Sequence, residues 1–121
     1  MNIRLQILLG MTAIGMTSIA LASDPVEIDV SPSVLVLKSK TTSPITVHAS
    51  VKLSDVNQAT VQLNGIPAQS VFADDRGELV AKFSVSAVKA LAGGLPELAL
   101  TLTADRKEGT EITGTDIVPV R

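Results

Sequence analysis

The stretch Ile45–Leu53 reads ITVHASVKL, and its alternation decides the fold class. Ile45, Val47, Ala49 and Val51 fall on one face, and Thr46, His48, Ser50 and Lys52 on the other. That period of two belongs to a strand with one side on a core and the other in water. We take it as the central strand of a two-sheet sandwich.

Working outward, Val26–Val30 alternates in the same way, with Val26, Ile28 and Val30 inward. Pro32 breaks it, and Val34–Leu37 is apolar on both faces, so a kinked first strand that switches sheets at the proline is expected. Thr41–Pro44 is a polar turn into the central strand. On the other side, Ser54–Asn57 is a turn and Ala59–Leu63 a strand with Ala59, Val61 and Leu63 inward. Asn64 and Gly65 both tolerate the positive φ of a two-residue type I′ hairpin, which pairs Ile66–Phe72 back on its predecessor. Pro67 lacks a donor and places that strand at an edge. After the loop Ala73–Gly77, Glu78–Phe83 directs Leu79, Ala81 and Phe83 inward.

Ser84–Ala92 changes period. Ser84 or Ser86 is a candidate N-cap, Gly93 and Gly94 a stop, and Val88 and Leu91 lie where one or two helical turns would plug the end of the core. Glu97–Thr103 resumes alternation with Leu98, Leu100 and Leu102 inward, and the polar hairpin Ala104–Thr110 leads to a last strand, Glu111–Val120. Gly114 suggests a bulge or bend in that strand, and Pro119 an edge. Strict alternation puts Asp116 inward with Ile112 and Val118, either as a buried carboxylate accepting hydrogen bonds or relieved by a bulge at Gly114 or Thr115. About seven strands with one short helical crossing make an all-β, immunoglobulin-like two-sheet sandwich, without a disulfide and without a core Trp.

Residues 1–22 stand apart. Arg4 precedes an apolar run, Leu5–Ile19, that is shorter than the roughly 20 residues of a membrane span, and Ala20–Ala22 has the small-x-small form of a signal-peptidase site. A signal peptide cleaved before Ser23 is expected, leaving one domain, 23–121, with no membrane insertion after cleavage and a periplasmic or extracellular location. Without Arg4 that domain carries nine basic and twelve acidic side chains, a net charge of about −3. A mildly acidic chain without a basic cluster is a poor nucleic-acid binder. The absence of cysteine excludes thiol chemistry and a lipid-bearing cysteine, and leaves stability to packing.

Several short strings fall in order: Leu35–Lys40, Ile45–Val47, Ser54–Val56, Val61–Gly65 followed by Ile66–Ala68, Leu79–Phe83, Gly109 with Thr110, and Gly114–Asp116. In that order and spacing the chain resembles the small secreted prokaryotic Ig-like β-sandwich domains that recur in large extracellular multi-domain proteins. The resemblance covers nearly all of 23–121 and implies a fold and no catalytic residues. Those domains usually carry a longer acidic loop of alternating Asp and Gly before the Lys-Phe strand, able to hold a cation. This chain has only Ala73–Glu78, with Arg76 inside it.

Among side chains able to carry chemistry, Asp74, Asp75 and Glu78 are the metal-ligand candidates, since calcium takes six to eight oxygens. The competing reading is a solvated turn in which the Asp residues favour the bend and Gly77 supplies positive φ. His48 is the only histidine and lies on the outer face, with no nucleophile elbow anywhere in the chain. Lys38, Lys40 and Lys52 read as lysines guarding strand edges rather than as a docking site for an anionic polymer. Phe72 and Phe83, both at inward positions, are unavailable for stacking on sugars, and Trp and Tyr are absent. The expected function is an exported, non-catalytic structural or protein-interaction module, with no cofactor, acting on another protein or a cell-surface component. Partner strands would add at Ile66–Phe72 or near Val118–Val120. The alternative is a small ion- or ligand-binding protein using the Asp74/Asp75/Glu78 loop, with calcium as the candidate ion.

Overall fold

The computed structural model describes residues 23–121; the expected signal peptide, 1–22, lies outside the described residues. Among the described residues, nine strands form two sheets. In chain order they are β1 (Ser23–Pro25), β2 (Ile28–Ser31), β3 (Ile45–Lys52), β4 (Val56–Leu63), β5 (Ile66–Pro67), β6 (Ser70–Ala73), β7 (Glu78–Phe83), β8 (Glu97–Arg106) and β9 (Glu111–Pro119). One helix, α1 (Val85–Ala92), lies between β7 and β8. The five-stranded sheet has the order β1-β9-β8-β4-β5, the four-stranded sheet β2-β3-β7-β6.

β3 is the deciding strand found in the sequence. It is hydrogen-bonded to β2 on one side and β7 on the other, and Ile45, Val47, Ala49 and Val51 are all buried. Leu79, Ala81 and Phe83 of β7 join them, and Val61, Leu63, Leu98, Leu100, Leu102 and Ile112 close the core from the opposite sheet. Phe83 is its one buried ring. The core is otherwise aliphatic, each buried side chain contributing roughly 1.5–3 kcal/mol by area removed from water. α1 starts at Ser84, whose Oγ accepts from the Ala87 N–H at 3.2 Å, and buries Val88 and Ala92. Leu91, expected to plug the core with Val88, is only half-buried, its place taken by Ala92 one residue on.

The first segment does switch sheets, but earlier than Pro32. β1 runs parallel to β9, and Val26 N–H extends that ladder to Thr113 O at 2.9 Å. The next carbonyl, Glu27 O, already accepts from Ser50 of β3 at 3.0 Å. The crossing passes over Gly114, where a Cβ would sit 2.5 Å from Val26 O and 2.7 Å from Ile28 Cγ2. Gly114 therefore answers to a close approach and not to a bulge: the β8–β9 register is unbroken from Glu111 to Pro119. Asp116 keeps its inward register and is half-buried, its Oδ2 accepting from Val30 N–H of β2 at 3.1 Å. The carboxylate bridges the seam between β9 and β2, a half-buried acceptor for a buried backbone N–H.

Other expectations are corrected. Val34–Leu37 is not a strand: Leu35 is buried and makes one bridge to Val120, while Val36 and Leu37 are exposed. The bonds Leu35 N–H to Pro119 O, Leu37 N–H to Arg121 O and Arg121 N–H to Leu35 O cover the C-terminal edge that was expected to be open. Asn64 and Gly65 take φ of 50° and 83°, as the hairpin demands, but Ile66–Phe72 does not pair back along its length. Pairing stops after Ile66 and Pro67 and one further bond from Ala68 N–H to Val61 O, and the chain then moves to the other sheet as β6. That transfer turns Phe72 outward, 42% exposed, and a bulge in β4 turns Ala59 to solvent.

Close approach and backbone strain are separable by mutation. Gly114→Ala should cost about 2 kcal/mol from overpacking, roughly 10 °C in melting temperature for a domain of this size. Gly65→Ala, whose Cβ meets nothing within 4 Å, should cost only the left-handed strain, about 1 kcal/mol. Thermal and urea melts of the two variants measure the difference.

Candidate functional site

Three polar side chains converge on the outer face of the four-stranded sheet. His48 stands in the middle of β3, Glu78 opens β7, and Asp74 directly follows β6. The register pairs His48 with Asp29 of β2 and with Val80 of β7, and Val80 with Phe72 of β6, so these four share a row across the sheet. Phe72 stands opposite Val80, an outward valine only 8% exposed, and Lys82 Nζ lies 5.5 Å from the Phe72 ring centroid. The turn after β6 brings Asp74 to this row.

Asp74 organises the loop with every polar atom it has. Its Oδ1 accepts from Arg76 N–H at 2.8 Å and Glu78 N–H at 2.9 Å, its own N–H donates to Glu78 O, and its carbonyl accepts from Gly77 N–H. The remaining oxygen, Oδ2, is hydrogen-bonded to His48 Nε2. These bonds hold the Asp74 carboxyl at about 2, below the usual carboxylate range, chiefly through His48 and then the Glu78 N–H, with Arg76 N–H adding to them and partial burial opposing. An ionised carboxylate only accepts, so the proton between the two groups belongs to Nε2. Glu78 Oε1 stands 3.8 Å from the same nitrogen, too far for a hydrogen bond, and 3.4 Å from Arg76 Nη2. Donor atoms of His48, Asp74 and Glu78 all lie within 4.8 Å of one another.

The residues expected to bind a metal are thus divided. Asp74 and Glu78 come together, Asp75 is exposed on the tip of the turn and is not in the group, and His48 takes its place. Alternation places His48 on the outer face, and its neighbours there come from a loop and a strand 26 and 30 residues away. An outward histidine opposite a strand that begins with Glu was the available signal, but only the β3–β7 pairing turns it into a site. The solvated-turn reading of the loop also holds in part, since Gly77 has φ of 79° and Arg76 is exposed.

The lysines do not form one patch around this site. Lys52 Nζ donates to Arg76 O on the loop, whereas Lys38 and Lys40 flank Ser39, whose carbonyl accepts from Lys89 of α1. Beside His48 a polar cleft of about 480 Å³ is bordered by Glu27, Asp29, Ser50 and Arg76. A second, more apolar cleft of about 440 Å³ lies between the 31–44 segment and α1, with Val34, Ile45, Val85 and Lys89 in its walls. Comparison of the chain with protein-family models, with curated proteins and with solved structures finds no match.

Because the folded pKa of Asp74 is lowered, its contribution to stability is complete above the unfolded value, about 4, and is lost as pH falls towards 2. Asp74→Asn should therefore unfold at lower urea than the wild type at pH 6, and the two midpoints should converge between pH 4 and pH 2. Urea titrations at a series of pH values check this.

Proposed function

We propose that the chain is an exported, non-catalytic immunoglobulin-like module of the periplasm or cell exterior that binds an extended segment of a partner protein along β6. The carrying observation is the β6 edge. β6 pairs with β7 on one side and has no strand on its other side among the described residues, and Phe72 stands exposed beside that edge. A partner strand added there gains main-chain hydrogen bonds from the edge and apolar contact from the ring. Of the two edges suggested by the sequence this is the one left open, since the Pro119–Arg121 edge is covered by Leu35 and Leu37.

The immunoglobulin-like reading is supported by strand order. β2-β3-β7-β6 has the sequence of strands A, B, E and D of such a sandwich, and β4, β8 and β9 stand where C, F and G do. The resemblance to secreted prokaryotic Ig-like domains and the leader-like composition of residues 1–22 point to the same setting. Net charge and the lack of a basic stripe argue against nucleic acid as the partner. None of the described helices is long and apolar enough to cross a membrane.

A photo-crosslinking residue placed at Ser70 in the chain expressed in its own cells should yield one discrete protein adduct. The same residue at Thr103, on the face of the other sheet, should yield none. Phe72→Ser should remove the Ser70 adduct while leaving the circular dichroism spectrum unchanged. Equal labelling from Ser70 and Thr103, or an adduct indifferent to Phe72→Ser, would contradict the edge as the binding site.

A further inference from the structure

The geometry points to a divalent transition-metal site, of the zinc class, formed by His48 Nε2, Asp74 Oδ2 and a Glu78 carboxylate oxygen. This site is separate from the β6 edge and does not depend on it. The donor set is one imidazole nitrogen and two carboxylates, drawn from two strands and one loop, with donor atoms within 4.8 Å of one another. Calcium takes oxygen alone and in larger number, whereas an imidazole with two carboxylates is a ligand set of zinc and its neighbours, bound at about 2.0–2.2 Å.

Proton accounting at the site favours an ion. Two carboxylates are directed at one imidazole nitrogen, which has a single N–H to offer. Asp74 takes it, and Glu78, at 3.8 Å, is left with a long 3.4 Å contact to the exposed Arg76. A divalent cation satisfies both carboxylates and the nitrogen lone pair at once. Ligation through Nε2 requires a neutral ring with its proton on Nδ1.

The supports are of the kind that orient metal ligands. Asp74 Oδ1 is pinned by two backbone N–H groups, which fixes the carboxylate and leaves Oδ2 aimed at His48. His48 is held by a strand paired on both sides. A polar cleft lined by Glu27, Asp29 and Ser50 opens beside His48. Three half-buried protein ligands leave room for a fourth donor from water or from a partner.

The sole histidine makes the test specific. The chain, expressed without a histidine tag, is titrated with Zn²⁺ and Co²⁺ and followed by imidazole ¹⁵N spectra and cobalt visible absorption. One metal per chain is expected, with Nε2 changing from its protonated to its ligated shift. His48→Gln should abolish the cobalt bands. Asp74→Asn and Glu78→Gln should each weaken binding more than about tenfold, and Asp75→Asn should leave it unchanged. Circular dichroism establishes that each variant is folded, and Glu78→Gln, which breaks no bond of the loop backbone, keeps the test decisive if Asp74→Asn does not fold. No metal-dependent change at His48 would overturn the assignment. So would zinc binding that survives His48→Gln, or a response to Ca²⁺ alone.

Discussion

Pairing of β3 on both its edges is the constraint on which the rest of this structure depends. One register serves two purposes: it puts Ile45, Val47, Ala49 and Val51 into the core, and it carries His48 to the outer face within reach of Asp74 and Glu78. A slip of one residue would exchange the faces, expelling four apolar side chains and burying a histidine and a lysine. At roughly 1.5–3 kcal/mol for each larger apolar side chain, that slip is out of reach for a domain of ordinary stability. The polar cluster is thus held in place by the hydrophobic cost of moving it.

The second constraint is how a chain without cysteine ties its two sheets together. The first segment begins on β9, crosses over Gly114, pairs with β3 as β2, and returns to the far end of β9 through Leu35. Asp116 fills the gap in between by accepting from the N–H of buried Val30 in β2. A buried N–H without a partner costs about 1–3 kcal/mol, so one carboxylate relieves a penalty built into the crossing. Ser84 does the same for the first turn of α1, where the chain passes from one sheet to the other at the end of the core.

What the sequence disclosed follows from the range of the interactions involved. The inward faces of β3, β7 and β8, the Asn64–Gly65 turn and the capped helix are local patterns, and each stands where its alternation or its cap placed it. Phe72, Ala59 and Leu37 went to solvent because a strand switched sheets, a bulge reset a register, and a segment stayed irregular. None of those events has a local signature as strong as alternation. Two of the three candidate ligands, Asp74 and Glu78, are legible in the sequence as an acidic loop. His48 stands apart from that loop in the sequence, and joining them takes the β3–β7 register, which pairs residues from Ile45 with Phe83 to Lys52 with Glu78.

The open β6 edge and the His48 cluster sit on one sheet, and both positions follow from the β3–β7 register. Cross-strand Hα and amide NOEs therefore test the account most directly. The register predicts contacts linking Thr46 with Lys82, Val47 with Ala81 and His48 with Val80. NOEs displaced by one or two residues along β7, or a β3 that pairs with a strand other than β2 and β7, would contradict it.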